Sequence, residues 1–235
     1  MSGEVEMEIK SFVWDVVDTN SFLIIEGNHG LLIDAIDQED LYRSMEPLET
    51  LSIILTHCHF DHIIGLNRIR RLKPNNKVIA TRLCSEKIGN IYRNMSSTAT
   101  AFVAFYEEGR KKNIQIEPFT CAPADQIFEE EMDLIWCDHH IRFFAVHGHS
   151  DDSLIAVLDE KYLFSGDTLL PIPTVTRFRG GSTKRFWEED MPRLREMRNI
   201  ETVFPGHGMR GKLGEMVGVN EAARKYRGYN ASSDI

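Results

Sequence analysis

The sequence predicts an α/β fold of the α+β kind, two β-sheets covered by helices, and three observations predict it. Apolar runs of strand length cluster in the first sixty residues and return from residue 142 onward. Stretches of helical spacing lie between and after these clusters. No linker-like segment divides the chain, so residues 1–235 read as one compact domain.

The elements follow in order. Residues 21–25 (SFLII), 30–34 (GLLID) and 51–55 (LSIIL) are strand-length apolar runs, with Gly27-Asn28 as a hairpin turn between the first two. A histidine-rich loop comes next, and residues 63–72 (IIGLNRIRRL) have helical spacing that stops before Pro74. Residues 77–81 (KVIAT) return to a strand. Residues 83–112 are helical in composition, with an apolar patch at Phe102, Val103, Phe105 and Tyr106. Strand-like runs resume at residues 142–146, 153–158, 162–164 and 202–204. Residues 185–197 read as a helix that Pro192 must kink or restart. The polar residues 218–235 are expected as a last helix and a frayed tail.

Composition narrows the function. A chain of 235 residues can bury a real core. Its 27 Lys and Arg against 36 Asp and Glu give a net charge of -9, which argues against a nucleic-acid partner. No run approaches the roughly 18 apolar residues of a membrane span, so no membrane partner is expected. The opening MSGEVEMEIK is acidic and lacks a long apolar stretch, unlike a secretory leader. Cys58, Cys84, Cys121 and Cys137 are scattered, which suits reduced thiols in a cytoplasm.

The chemistry concentrates in THCHFDH, residues 56–62, directly after an apolar strand. Alternate side chains of an extended segment point the same way, so His57 and His59 can converge on one point. Asp61 and His62 stand where the chain turns toward a helix and can face a neighbouring point. The spacing offers two ligands to each of two adjacent metal sites, with donors that suit zinc and leave iron or manganese open. A loop merely rich in histidine would not be expected to end a hydrophobic strand. Three further signals each end an apolar run: His147-Gly148-His149-Ser150, Ser165-Gly166-Asp167 and Pro205-Gly206-His207. Glycine beside the polar residue lets the backbone bend tightly.

HxHxDH followed by GHS, SGD and PGH in that order resembles the metallo-β-lactamase superfamily, over about residues 12 to 210. The resemblance implies a four-layer αββα sandwich, with residues 83–112 as a helical insertion near the active-site rim. It implies two divalent metal ions, His57, His59 and His149 on the first, Asp61, His62 and His207 on the second, and Asp167 bridging. Asp61 and Asp167 would also be the catalytic carboxylates. His149 stands after the glycine, where the family pattern puts its ligand, and His147 is expected to face packing or solvent. Asp34 resembles the family's buried aspartate that braces the metal-binding loop; a turn-capping aspartate is the alternative. Cys58 should face away from the ligands as a packed thiol. His29, His139 and His140 read as turn residues.

Two adjacent metals can acidify a shared water and polarise a carbonyl, so no Ser or Cys nucleophile is needed, and no GxSxG elbow exists. Asp167 separates the chain from true β-lactamases, and His59 from flavodiiron-type HxExD proteins. The group left is similar to hydroxyacylglutathione hydrolases and acyl-homoserine lactonases: hydrolysis of a thioester, ester or lactone, with a small molecule as partner. Only about thirty residues follow His207, which counts against glutathione recognition by a helical C-terminal domain. A single-iron persulfide dioxygenase of the same superfamily is one alternative, and a metal-bound sensor or partner-binding module is another. Arg177 and Arg179, in a basic stretch with Lys184 and Arg185, either contact an anionic substrate end or lie in a solvated loop. Phe105 and its neighbours line an acyl pocket, a homodimer contact or the core.

Overall fold

The computed structural model describes residues 6–226. It contains two sheets with helices, the α/β class that the sequence predicts, in two compact units. One comprises the residues up to Ala80 with Cys84–Ile127; the other comprises Thr81–Leu83 with the residues from Phe128 on.

The first unit is built on a six-stranded sheet in sequence order: β1 (Glu8–Trp14), β2 (Thr19–Glu26), β3 (His29–Ile33), β4 (Thr50–Ile54), β5 (Lys77–Thr81) and β6 (Gln126–Phe128). β2 and β3 form the expected hairpin, antiparallel with Leu23 opposite Leu32, and Gly27 takes the positive φ of 59° that the tight turn needs. β3, β4 and β5 then run parallel. Parallel strands are covered on both faces and read as continuous apolar runs, which is why LLI and LSII stood out. Helices α1 (Glu39–Met45), α2 (Phe60–Ile63) and α3 (Leu66–Leu72) contribute Leu41, Phe60, Leu66 and Ile69 to the core around Leu23, Leu32 and Ile53.

One expectation needs correction here. The helix expected over residues 63–72 is two helices, α2 and α3, parted at Ile64-Gly65. The carbonyl of His62 accepts from Ala35 N–H and Gly65 N–H donates to the Ala35 carbonyl, so these groups are withdrawn from the helical ladder. Residues 83–112 hold short helical pieces: α4 (Arg82–Lys87), a 3₁₀ turn (Ser96–Thr98), α5 (Ala99–Val103) and α6 (Glu107–Lys111). Val103 is in the core, with Phe102 and Tyr106 packed against it, but Phe105 is 80% exposed, so core packing is not its role.

The second unit carries a five-stranded sheet in the order β11-β10-β9-β8-β7: β7 (Glu131–Trp136), β8 (His139–Val146), β9 (Ser153–Leu158), β10 (Tyr162–Gly166) and β11 (Thr202–Pro205). β7 to β10 form an antiparallel meander, and β11 pairs parallel with β10. Residues 185–197 are interrupted as Pro192 required: α7 (Thr183–Arg185), a π-helical turn (Phe186–Asp190) and α8 (Met191–Glu196). The last helix, α9 (Leu213–Tyr226), starts before residue 218; the expected tail beyond 226 lies outside the described residues. Leu163, Leu169, Phe186, Leu194 and Val203 form this unit's core.

His29, His139 and His140 are strand residues, not turn residues. His29 Nδ1 lies 2.8 Å from Thr50 Oγ1 on β4, His139 Nδ1 bonds Asp159, and His140 Nε2 is 2.7 Å from Asp133 on β7. Among the described residues no helix is long and apolar enough to cross a membrane.

Candidate metal centre

β4 lies between β3 and β5, and the chain leaving its end is HCHFDH, so the sheet fixes where the first cluster begins. His57, His59, Asp61 and His62 are all buried. His57 Nε2 stands 3.0 Å from His59 Nδ1, as alternation in an extended segment predicts. Asp61 and His62 lie in the first turn of α2, with His62 Nε2 3.5 Å from Asp61 Oδ2. A donor atom of His57 also lies within 4.8 Å of one on His62.

Asp34 organises this cluster. It follows β3 at a φ of 59°, a left-handed conformation that Asp tolerates better than most residues. Its Oδ1 accepts the Thr56 N–H at 2.7 Å, and its Oδ2 accepts from Thr56 Oγ1 at 2.8 Å and His62 Nδ1 at 2.7 Å. A carboxylate only accepts, so His62 Nδ1 carries a proton, and in the neutral imidazole its Nε2 carries the lone pair. Thr56 has spent its one hydroxyl proton on Asp34; its oxygen therefore accepts from His57 Nδ1 at 3.1 Å, which leaves the His57 lone pair on Nε2 as well. Of the two readings of Asp34, the brace on the loop is the one observed. Thr19 adds a bond that the sequence did not suggest, donating Oγ1 to Asp61 Oδ2 at 2.7 Å.

The second unit gathers His149, Asp167 and His207. β10 and β11 lie side by side with a register shift between Phe164 and Gly166, so Asp167 and His207 leave from one end of the same strand pair. Gly166 and Gly208 take positive φ there, and Gly206 N–H donates to the Gly166 carbonyl at 2.8 Å. Asp167 Oδ2 stands 3.5 Å from His149 Nε2 and 3.4 Å from His207 Nε2. His149 Nδ1 donates to the Val175 carbonyl at 2.8 Å, which puts its lone pair on Nε2, toward Asp167. His147 turns elsewhere, its Nδ1 3.0 Å from the Asp151 carbonyl, as expected.

These donor sets fit divalent cations. In the neutral tautomers deduced above, His62 Nε2 faces Asp61 and His149 Nε2 faces Asp167, lone pair toward carboxylate oxygen. Two acceptors so placed repel unless a cation lies between them, and outer nitrogens bound to carboxylate or carbonyl are the usual second shell of metal-binding histidines. Cys58 is buried and its thiol lies 3.4 Å from the Arg93 carbonyl, so it is a packed thiol as expected. Of the residues suggested for substrate contact, Arg177 is exposed and lines a cavity of about 420 Å³ with Val175, Phe186, Trp187 and Arg224. Arg179 is exposed outside that lining, and Phe105 belongs to the first unit.

The comparisons with known proteins agree with this chemistry. Among curated proteins, the chain is similar to Beta-lactamase-like protein 2 homolog of Drosophila melanogaster, 26% identical over 203 residues, and to the Probable metallo-hydrolase MJ0888 of Methanocaldococcus jannaschii, 26% identical over 220 residues. The matches take in 81% of this chain in both cases, and 58% of the fly protein but 87% of the archaeal one. The Probable metallo-hydrolase YqgX of Bacillus subtilis is 25% identical over 197 residues, 82% of this chain and 86% of that protein. Among solved structures, the BLEG-1 B3 metallo-beta-lactamase superposes with a TM-score of 0.74 at 25% identity, over 91% of this chain and 98% of that one. A di-iron-bound form of TTHA1623 superposes at 0.67 over 90% of this chain and 98% of that one, and at 22% identity it shows the fold alone. A family model described as the Metallo-beta-lactamase superfamily matches residues 14–207, from β1 to the last histidine of the candidate set, and the chain belongs to that superfamily.

Proposed function

We propose that the protein is a metal-dependent hydrolase acting on a small thioester, ester or lactone. The observation that carries the reading is a buried imidazole in each unit, His62 and His149, whose Nδ1 is engaged so that Nε2 faces a carboxylate. His57, His59 and His149 would hold one cation, Asp61, His62 and His207 a second, and Asp167 both. Zinc is the expected metal, with iron and manganese as the other candidates. Cations bound there would supply Lewis acidity, which polarises a carbonyl and brings the pKa of a bound water toward neutrality. The names of the archaeal and Bacillus relatives, both probable metallo-hydrolases, support the same class.

The chain's own residues do the positioning. Asp34 and Thr56 lock the His57 and His62 rings, Thr19 holds Asp61, and the Val175 carbonyl holds His149. Arg177 and Arg179 would meet an anionic end of the substrate, and the exposed Phe105 ring would meet its acyl part. The test is metal content measured beside turnover on a panel of thioesters, esters, lactones and phosphodiesters. Thioester or lactone turnover that falls at least 100-fold in His59→Ala and Asp167→Ala is the expected result. Turnover untouched by either substitution would overturn the reading. One iron per chain with oxygen consumption would replace it with the single-iron persulfide dioxygenase. Arg177→Ala should raise KM for anionic substrates and leave neutral ones unchanged.

A further inference from the structure

The loop that carries His149 is held by a carboxylate that belongs to none of the motifs. Asp190 is buried at the end of the π-helical turn Phe186–Asp190. Its Oδ1 accepts the His147 N–H at 3.1 Å and its Oδ2 the Gly148 N–H at 2.7 Å, so both oxygens are spent on consecutive amides just ahead of His149. Burial pushes the Asp190 carboxyl above its usual range while these two N–H bonds pull it down. The loop is also gripped from its other side, where Ser182 N–H donates to the Gly148 carbonyl at 2.8 Å.

The local sequence explains how Asp190 comes to point there. Pro192 has no N–H and cannot continue an i to i−4 ladder. Upstream of it the Met191 N–H bonds the Phe186 carbonyl, five residues back, and the widened turn rotates Asp190 inward. Gly148 is required opposite: a Cβ there would stand 2.5 Å from Asp190 Oδ2 and 2.6 Å from Phe186 Cβ. The arrangement repeats in the second unit what Asp34 does in the first, a buried carboxylate bonded to the backbone of a ligand-bearing loop.

We propose that Asp190 is a positioning residue for the metal ligand His149, fixing residues 147 and 148 so that the imidazole between Val175 and Asp167 is aimed before a cation arrives. This rests on His149 being a ligand. The test is zinc affinity of metal-stripped protein, read by competition with a chromophoric chelator, beside the melting temperature of the metal-free protein. Asp190→Ala should weaken zinc binding about 10- to 100-fold. Asp190→Asn keeps one acceptor but turns an NH₂ toward the other amide, so its affinity should fall between, with metal-free melting a few degrees below that of the parent. Gly148→Ala should copy Asp190→Ala. Asp190→Asn carries the test should Asp190→Ala fail to fold. Parent-like zinc affinity in Asp190→Asn would overturn the proposal, leaving the carboxylate as a fold element only. His149→Ala separates the two levels: if it binds zinc as the parent does, the ligand reading itself falls. If it loses zinc while the Asp190 variants keep it, only the positioning role falls.

Discussion

The Thr56 hydroxyl joins a carboxylate to an imidazole. It donates to Asp34 and accepts from His57 in a fully buried setting. Thr56→Val keeps the volume but takes the acceptor from the buried His57 Nδ1 and leaves Asp34 Oδ2 with His62 alone, which costs about 1–3 kcal/mol. Its zinc affinity should fall about 10-fold or more, because the His57 ring loses its outer anchor. Thr56→Ser should restore both, and a valine variant with parent stability in urea would contradict this account. Thiol chemistry gives a second check. Burial pushes the Cys121 thiol up to about 12, and Cys58 and Cys84 are equally enclosed, whereas Cys137 is half-buried. Native alkylation should label one thiol of four rapidly, with the other three appearing on denaturation. The candidate ligands could be read from the sequence because metal chemistry needs rare residue types at short spacing. Thr19, Thr56 and Asp190 could not: their types are common, and Thr19 and Asp190 find their partners 42 and 43 residues away along the chain. His139 and His140 were misread for the same reason, since Asp159 and Asp133 come from neighbouring stretches of chain.

The break between α2 and α3 shows a tertiary demand overriding helical periodicity. Residues 63–72 carry a continuous apolar stripe, yet Gly65 bonds the Ala35 carbonyl instead of extending α2. A Cβ at Gly65 would press into the Ile36 carbonyl oxygen and crowd the Tyr42 hydroxyl. Gly65→Ala, which should strengthen an ordinary helix, is therefore expected to destabilise the chain by about 1–3 kcal/mol. Denaturant unfolding checks the sign: a stabilised variant would mean the segment can join into one helix. The same element carries Asp61 and His62, two of the candidate ligands, just ahead of the break. The strands that escaped the sequence reading are instructive. β1, EIKSFVW, and β7, EMDLIW, lie at sheet edges and alternate exposed with enclosed positions. Such strands lack the unbroken apolar run that gives away β3, β4 and β9, because only one face has anything to bury.

Across the chain, the candidate ligands come as four from the first unit and three from the second, and the family match spans both. In each unit a buried imidazole faces a carboxylate, His62 with Asp61 and His149 with Asp167, and in the neutral imidazole lone pairs meet there, so folding without metal sets electrostatic repulsion against hydrophobic gain. Each cation that binds only the folded state would then contribute to stability by mass action, about 2.7 kcal/mol at a free concentration one hundred times Kd. In a chain of this length each kcal/mol moves the melting temperature about 2–4 °C. Stripping the protein with a chelator should therefore lower its melting temperature by roughly 5–11 °C for each cation removed, and adding zinc back should restore it. His59→Ala and Asp167→Ala should melt near the stripped parent and respond weakly to zinc, because each removes a donor without disturbing a core strand. Identical melting of stripped and zinc-loaded parent would mean that no cation is bound by the native fold. The charge of -9 adds a control: general screening of repulsion by salt would stabilise every variant alike, whereas the response to zinc should vanish with the ligands.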